Sequence, residues 1–225
     1  MTGKDEISSI VPTAEGSTIT IVEDIDVTDD NVGEKLITQL NGTIIDTVIH
    51  NAGSYDGKRD EEGMNEQKLE KITMDRMRLA YEVNALGPLR IQKALLDANL
   101  MRVKDDSTNC EVLGKVAIIS TNLASIDDNT SGGSYAYRSA KAAVNMIGKS
   151  MSCDLKDKNI SVSLIAPGFV ATEFGPGKAK MEGYGAMAVD IAAKGIISII
   201  DSMTMDNTGK FYLVQRDCSA KAILW

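Results

Sequence analysis

The chain has 225 residues, of which 43% are apolar and 25% charged; these values are typical of one globular domain and exclude a disordered or fibrous protein. Its net charge of -8 repels phosphate backbones, so nucleic acid is not an expected partner. No apolar run approaches the roughly 20 residues that span a bilayer, and the first residues lack the apolar core of a signal peptide, so we expect a cytoplasmic protein without a membrane partner.

The first half of the chain alternates β-branched apolar runs with turns and helical patterns. Residues 17–22 are predicted to form a strand, and a turn at 26–30 introduces a helix that ends near Leu40. A second strand is predicted at 43–50, followed by a polar loop at 54–63. This alternation is typical of βαβ units and indicates a parallel sheet.

The middle of the chain contains the longest helical patterns. Residues 65–101 are predicted to form two helices that bend near Gly87 and Pro88, because proline disrupts a helix interior. A third buried strand is predicted at 114–120. In 134–156 the apolar residues recur at spacings of three and four, which predicts an amphipathic helix.

The last third of the chain continues the alternation. Strands are predicted at 160–166 and 210–214, with a helix at 189–203 between them and a glycine-rich loop at 175–185 before that helix. Since no repeat, low-complexity tract or linker divides the chain, we expect one domain over 1–225.

Tyr137 and Lys141 lie four residues apart in the helix predicted at 134–156, so their side chains emerge on one face. A tyrosine has an ordinary pKa of roughly 10, and a nearby ammonium group stabilises the phenolate and lowers that pKa. The pair is suited to acid–base chemistry, but the same spacing is common on helix surfaces and does not establish a site by itself.

The histidine and the cysteines indicate neither a triad nor a metal site. The single histidine, His50, follows an apolar strand without plausible partners nearby in the sequence, so we expect it to have a structural role. Cys110, Cys153 and Cys218 are far apart and form no CxxC motif, which favours reduced thiols over a disulfide framework.

Five short segments follow one another in a recognisable order and spacing. They are IHNAG (Ile49–Gly53), VNALGP (Val83–Pro88), VAIIST (Val116–Thr121), YAYRSAKAAVN (Tyr135–Asn145) and LIAPGFVAT (Leu164–Thr172). Together they resemble the short-chain dehydrogenase/reductase family, and 124–143 and 209–225 resemble more narrowly its C-factor-like and sniffer-like carbonyl reductases.

The resemblance extends from about Ser17 to Trp225 and implies a Rossmann-like, doubly wound α/β fold with helices on both faces of the sheet. It also implies an oxidoreductase that transfers a hydride between NAD or NADP and a small or medium carbonyl or alcohol substrate. Family members commonly dimerise, so we expect helices around 85–101 and 134–156 to form a self-complementary homodimer surface.

The resemblance assigns four catalytic positions. Tyr137 would be the acid/base that acts on the substrate oxygen, and Lys141 would lower its pKa and bind the nicotinamide ribose. Asn84 would anchor a proton-relay water, or alternatively would cap the bent helix. Thr121 stands where the family has a substrate-orienting serine; its extra methyl group restricts χ1 and crowds the site, so Ser125 is an alternative.

The resemblance also assigns contacts to the cofactor. Asp26 and Val27 match a pair beside the adenine ring, although Asp26 could equally be a helix N-cap. The other expected contacts, besides Tyr137 and Lys141, are Asn51, Ala52, Gly53, Pro167, Gly168 and Thr172, the last at the nicotinamide carboxamide.

The family begins with a strand, a Thr-Gly-x-x-x-Gly-x-Gly loop and a helix whose N-terminus binds the pyrophosphate. Gly3 and Gly16 do not have this spacing, so we expect the first strand, the first helix and the second strand to be missing. That second strand also discriminates NAD from NADP, so the sequence does not indicate which cofactor is used.

Three interpretations follow from this difference. The chain could belong to an active reductase whose first unit is lost from this sequence, to a shortened and catalytically impaired paralogue that binds a partner or ligand, or to a dimerisation module. We favour the first, because the remaining catalytic positions are nearly intact.

Overall fold

In the computed structural model, which describes residues 17–55, 68–103, 114–174 and 177–225, five strands form one sheet. In chain order they are β1 (Thr47–His50), β2 (Gly114–Ile119), β3 (Ile160–Ala166), β4 (Lys210–Val214) and β5 (Ala220–Ala222). The strands keep this order in the sheet; β1 to β4 are parallel and β5 is antiparallel to β4. The predicted parallel sheet is confirmed, and β5, which is short and exposed, had no apolar run to indicate it.

Helices flank this sheet. The α-helices of the described residues are α1 (Val32–Leu40), α2 (Met74–Tyr81), α3 (Gly87–Asp97), α4 (Tyr135–Asp154), α5 (Lys178–Gly183) and α6 (Val189–Asp201). The helices predicted at 134–156 and 189–203 are confirmed as α4 and α6. The loop predicted at 175–185 is wrong over α5, where lysine, alanine, methionine and glutamate all favour a helix. None of the described helices is long and apolar enough to cross a membrane.

A π-helical turn, Glu82–Leu86, joins α2 to α3. The two helices predicted over 65–101 are therefore confirmed, but the first begins at Met74, where the side chain of Thr73 forms an N-cap. Pro88 lacks an N–H group, so one hydrogen bond of a regular α-helix is missing here, which favours the wider turn before it.

The strand predicted at 17–22 is wrong, since these residues have no strand structure. A strand forms where its N–H and C=O groups pair with a neighbour, and within the described ranges no strand lies beside this segment or along the outer edge of β1. For the same reason the strand predicted at 43–50 is shortened to β1. Its earlier residue Ile45 forms only an isolated bridge with Met101.

Alternate residues of the central strands pack on opposite faces of the sheet. Val116 and Ile118 of β2 belong to an apolar core that includes residues of α3 and α4. Ala117 of β2 and Ile165 of β3 belong to a second core that includes residues of α6. Every residue of β3 is buried, as expected for a parallel strand covered on both sides. Helices on both faces are therefore confirmed.

The last residues of the chain lie along the other edge of the sheet. The Trp225 ring stacks on Phe211 of β4, with centroids 5.5 Å apart and planes inclined by 22°. Its carbonyl oxygen accepts a 3.3 Å hydrogen bond from the Asp127 N–H group, which lies beyond β2. Of the cysteines, Cys153 and Cys218 are free thiols, as expected; Cys110 lies outside the described residues.

The parallel strands place their carboxyl ends at one edge of the sheet. His50 ends β1, Ile119 ends β2 and Ala166 ends β3, and the loops that follow them all leave from this carboxyl edge. In open α/β sheets ligands bind at this edge. The candidate site is therefore found there.

Candidate active site

α4 brings Tyr137 and Lys141 to the carboxyl edge, where their side chains lie on one helix face. Both residues are buried, with 7% and 4% of their surfaces exposed. Lys141 Nζ lies 6.0 Å from the centroid of the Tyr137 ring and donates a 2.8 Å hydrogen bond to the Ile119 carbonyl oxygen at the end of β2. The structure thus brings the two residues of the predicted pair together.

Burial sets the protonation of this pair. It raises the pKa of Tyr137 above the ordinary value of 10.0; a hydrogen bond with the Thr121 side chain acts in the opposite direction, and the Tyr55 phenol adds to the increase. Burial lowers the pKa of Lys141 to about 8. The Tyr137 pKa therefore moves opposite to the expectation based on Lys141 alone, and the phenol is a proton donor at neutral pH.

Thr121 is the hydroxyl residue that contacts Tyr137. It precedes a 3₁₀-helix, Asn122–Ala124, and its Oγ1 accepts a 3.2 Å hydrogen bond from the Leu123 N–H group in addition to the bond with Tyr137. The alternative residue, Ser125, is buried, and its Oγ accepts a 3.2 Å hydrogen bond from the Asp128 N–H group. Ser125 thus stabilises a turn, and the geometry favours Thr121.

Asn84 lies fully buried in the π-helical turn Glu82–Leu86. Its Nδ2 donates to the carbonyl oxygens of Ser54 (2.9 Å) and Ala80 (3.0 Å), and its Oδ1 accepts from the Ser54 N–H group (3.1 Å). The bond to Ala80, one turn back, matches the capping alternative for Asn84. The bonds to Ser54 attach the loop after β1 to the helix, and a role in water binding stays a prediction.

Gly53 lies between these groups. A Cβ atom at this position would be 3.2 Å from Asn84 Oδ1 and 3.5 Å from Lys141 Nζ, so the bare backbone leaves an open approach to both side chains. Asn51 and Ala52, which precede it, are exposed. This cradle of backbone beside a lysine fits a cofactor ribose, since a backbone without a side chain permits close approach.

The predicted residues after β3 lie at the same edge. Pro167, Gly168 and Thr172 are half-buried. Gly168 has φ +85°, in the left-handed region that favours glycine, and a Cβ there would be 3.3 Å from the Val214 carbonyl oxygen. Thr172 Oγ1 accepts a 3.2 Å hydrogen bond from the N–H group of Phe174, so it fixes the turn that carries this ring.

The predicted adenine contacts lie in the turn before α1. Asp26 Oδ1 accepts hydrogen bonds from the Thr28 N–H group (2.9 Å) and hydroxyl (2.8 Å), which lower the Asp26 pKa. It therefore caps this turn, and the helix N-cap alternative is wrong because Asn31 precedes α1. Val27 packs against Gly87, where a Cβ would approach to 2.9 Å.

Arg90 of α3 fixes this turn to the remainder of the structure. Its guanidinium pairs with Asp30 and Glu82, each at 2.7 Å, and donates a 3.4 Å hydrogen bond to the Val27 carbonyl oxygen. Because Glu82 begins the π-helical turn, Arg90 connects the predicted adenine contacts to the turn that contains Asn84.

Two aromatic residues beside Tyr137 were not predicted from the sequence. The Tyr55 ring meets Tyr137 edge-on with centroids 4.9 Å apart, and the Phe174 centroid lies 6.0 Å from Tyr137 and 6.1 Å from Tyr55. The Tyr55 hydroxyl lies 3.2 Å from Ser134 Oγ. Aromatic residues are only 4% of the chain, and these two each lie two residues after a predicted site residue, Gly53 or Thr172. This position is the sequence signal that could have identified them as site residues.

His50 has the structural role expected of it. It is buried, and its Nε2 lies 3.1 Å from Oε1 of the buried Gln92 in α3, while burial lowers its pKa. The neutral ring therefore attaches the end of β1 to α3.

Comparisons with known proteins agree with this arrangement. The family model for short chain dehydrogenases matches residues 6–183. The 1-hydroxy-2-glutathionyl-2-methyl-3-butene dehydrogenase of Rhodococcus sp. (strain AD45) is 34% identical over 201 residues, which cover 86% of this chain and 76% of that protein. The C-signal protein of Myxococcus xanthus is 34% identical over 136 residues, 60% of this chain and 73% of that protein. The solved carbonyl reductase Sniffer of D. melanogaster has a TM-score of 0.68 and 25% identity, covering 89% of this chain and 76% of that chain. The chain belongs to the short-chain dehydrogenase family of NAD(P)-dependent oxidoreductases, as the five sequence segments indicated.

Proposed function

We propose that this protein transfers a hydride between NAD or NADP and the carbonyl or alcohol group of a small or medium substrate. The observation that carries the proposal is the buried Tyr137 phenol, which lies on one helix face with the buried Lys141 ammonium group and near the Thr121 hydroxyl. A positioned phenol of this kind can donate a proton to a carbonyl oxygen. The carbonyl reductase structure and the dehydrogenase relative described above support the same reaction class.

In the reducing direction the Tyr137 phenol donates its proton to the substrate oxygen, and the Thr121 hydroxyl orients that oxygen. The Lys141 ammonium then stabilises the phenolate that remains. A bound reduced nicotinamide supplies the hydride. In the oxidising direction Tyr137 accepts the proton of the alcohol.

We assign the cofactor to residues along the carboxyl edge. The adenine end would contact Asp26 and Val27, and the nicotinamide ribose would contact Lys141. The remaining contacts would come from Asn51, Ala52, Gly53, Pro167, Gly168 and Thr172. The fit rests on the bare backbone at Gly53, because a Cβ atom there would occupy the space beside Lys141 Nζ, at 3.5 Å, and Asn84 Oδ1, at 3.2 Å.

The substrate would enter beside the two aromatic rings that flank Tyr137. Phe174 is 37% exposed, so its ring offers an apolar surface next to the proton donor. Since Tyr55 and Phe174 approach Tyr137 from the loops after β1 and β3, they limit the width of the space around the phenol. We therefore expect a carbonyl compound with an apolar part close to the reacting carbon.

The decisive experiment compares Tyr137→Phe with the wild-type chain. Oxidation of NADH and NADPH is followed with a panel of aldehydes and ketones, and cofactor affinity is measured separately by calorimetry. We expect turnover to fall about 10²–10⁴-fold, the usual contribution of general acid–base catalysis, with little change in cofactor affinity. Tyr184→Phe, in an exposed tyrosine after α5, is the matched control.

Each result decides between the interpretations. Full activity in Tyr137→Phe would contradict the catalytic assignment. Cofactor binding without turnover in the wild-type chain would favour the impaired paralogue. Absence of NADH and NADPH binding both by this chain and by a version fused to the glycine-rich first unit of a related reductase would contradict the proposal as a whole.

The homodimer through α3 and α4 also stays a prediction. Leu89 and Met146, on these helices, are exposed apolar residues that a self-complementary contact would cover. We expect sedimentation at micromolar concentration to give the mass of a dimer, and Met146→Lys to shift it toward a monomer. A wild-type chain that sediments only as a monomer would contradict this prediction.

A further inference from the structure

Three consecutive residues at the end of β2 are bonded to three turns of α4. Ile119 accepts from Lys141 through its carbonyl oxygen, and Thr121 bonds to Tyr137 through its hydroxyl. Between them lies Ser120, whose Oγ donates a 2.6 Å hydrogen bond to Asn145 Oδ1. Of these three contacts, only the one made by Ser120 has no part in the proposed chemistry.

Ser120 and Asn145 are both almost completely buried. The Ser120 N–H group also donates a 2.7 Å hydrogen bond to the Ile165 carbonyl oxygen, so the residue is attached to β3 as well as to α4. A short hydrogen bond between two buried side chains holds its partners in one geometry, because water cannot replace either of them.

A contribution to the stability of the fold does not account for an amide side chain at Asn145. Within the described ranges its Nδ2 is buried and has no hydrogen-bond partner, and such a group lowers stability relative to an apolar side chain of similar size. Asn145 stands four residues after Lys141 and eight after Tyr137, so all three side chains lie along one face of α4. Asn145 Oδ1 accepts its hydrogen bond from Ser120. Ser120 is the residue between Ile119, the partner of Lys141, and Thr121, the partner of Tyr137.

We propose that Ser120 and Asn145 are positioning residues, which fix the end of β2 against α4 so that the Ile119 carbonyl and the Thr121 hydroxyl meet Lys141 and Tyr137. Close packing of the same helix on the sheet supports this. A Cβ at Gly148 would be 3.0 Å from Ile118 Cδ1, so α4 lies directly against β2 one turn further along. Loss of the Ser120 bond frees the residues on either side of it.

The consequences for Lys141 and for turnover follow from the geometry. A carbonyl oxygen that accepts from an ammonium favours the charged form, so a displaced Ile119 carbonyl lowers the pKa of Lys141 further. Displacement of Thr121 weakens both the orientation of the substrate oxygen and the bond to Tyr137. The second consequence rests on the proposed function; the first does not.

The test uses Ser120→Ala and Asn145→Leu in the full chain. The titration of Lys141 is followed by NMR of ¹³C-labelled lysine side chains, in which a group with a pKa of about 8 is separated from ordinary lysines. We expect both variants to move the Lys141 titration below pH 8, and kcat to fall about tenfold with a smaller change in KM. Asn145→Leu, which removes the unpartnered amide, is expected to be as stable as the wild type.

Two further variants separate positioning from a general loss of packing. Ser163→Ala removes an equally buried serine hydroxyl from β3 and is the matched control, expected to leave both readouts unchanged. Ser120→Thr retains a hydroxyl donor and is expected to restore the wild-type titration.

An unchanged Lys141 titration in folded Ser120→Ala or Asn145→Leu would overturn the proposal. So would an equal change in Ser163→Ala. If the wild type has no turnover with any carbonyl compound, the proposed function fails while the lysine titration still decides the role of this pair.

Discussion

The carboxyl edge around α4 and the segment 17–31 differ in how they are fixed to the fold. At the carboxyl edge, strand ends and helix side chains are joined by buried hydrogen bonds between distant parts of the chain. In 17–31 Asp26 and Asp29 accept hydrogen bonds from N–H groups two residues along the chain, and Asp29 also pairs with Lys35, six residues along; Ile19 is 45% exposed. The proposed proton-transfer residues therefore depend on tertiary packing, whereas the predicted adenine contacts depend on local turns and on Arg90.

The largest expected contrast between the two regions is in stability. Leu164→Ala in β3 removes a completely buried side chain and should lower the free energy of unfolding by about 2–5 kcal/mol. Ile19→Ala should change it by less than about 0.5 kcal/mol, because the side chain is already half exposed. Urea denaturation of both variants measures the contrast. Equal losses would show that 17–31 is packed as firmly as the central strand.

The second contrast concerns pH. Burial lowers the pKa of Lys141 to about 8, below the 10.5 of an ordinary lysine. Between these values the unfolded chain holds one more proton than the folded chain, so the free energy of unfolding rises with pH. The free energy of unfolding should rise by about 3 kcal/mol. This rise is best measured between pH 8 and 10. Above pH 10.0 the raised pKa of Tyr137 makes the free energy of unfolding fall with pH and so opposes the effect of Lys141.

Urea denaturation of wild type and Lys141→Met across this range isolates the contribution, since other titrating groups cancel in the difference. Only the wild type should gain stability from the loss of the lysine proton. Parallel curves for the two proteins would mean that Lys141 keeps an ordinary pKa in the folded chain.

The smallest effect is expected at Arg90, which joins the two regions. Arg90→Ala should weaken NAD(P)H binding by about 1 kcal/mol, or roughly fivefold in Kd, because the Val27 turn loses its hydrogen bond to α3. Calorimetry compares it with Arg78→Ala, which removes an exposed ion pair with Asp75 in α2. If the two variants bind the cofactor equally well, Arg90 does not support the adenine contacts.

The helices and strands that could be predicted from the sequence are those whose own residues show an apolar run or an apolar periodicity. The strands at 160–166 and 210–214 were predicted with their observed bounds, because continuous apolar runs between helices are typical of a buried parallel sheet. The segment 17–22 has a similar pattern but is not a strand, because pairing depends on a neighbour that a local pattern does not contain.

The site was predictable to the same extent. Tyr137 and Lys141 could be paired from their helical spacing, but the direction of the Tyr137 pKa could not, since burial is a tertiary property. The contact of Ser120 with Asn145 joins residues 25 apart in the chain, and only the docking of α4 on β2 brings them together. Tyr55 and Phe174 meet for the same reason, in loops that leave different strands.

The stacking of Trp225 on Phe211 gives the protein a built-in optical reporter. Trp225 is the only tryptophan of the chain, so its intrinsic fluorescence arises from the seam between β4 and the carboxyl-terminal residues. Its emission overlaps the absorption of a reduced nicotinamide, and energy transfer to a bound NADH or NADPH would therefore measure occupancy of the carboxyl edge without a label. The hydrogen bond from the Asp127 N–H group to the main-chain carbonyl oxygen of Trp225 joins the residue that carries this fluorophore to the loop after β2, so movements of that loop should alter the emission even when no cofactor binds.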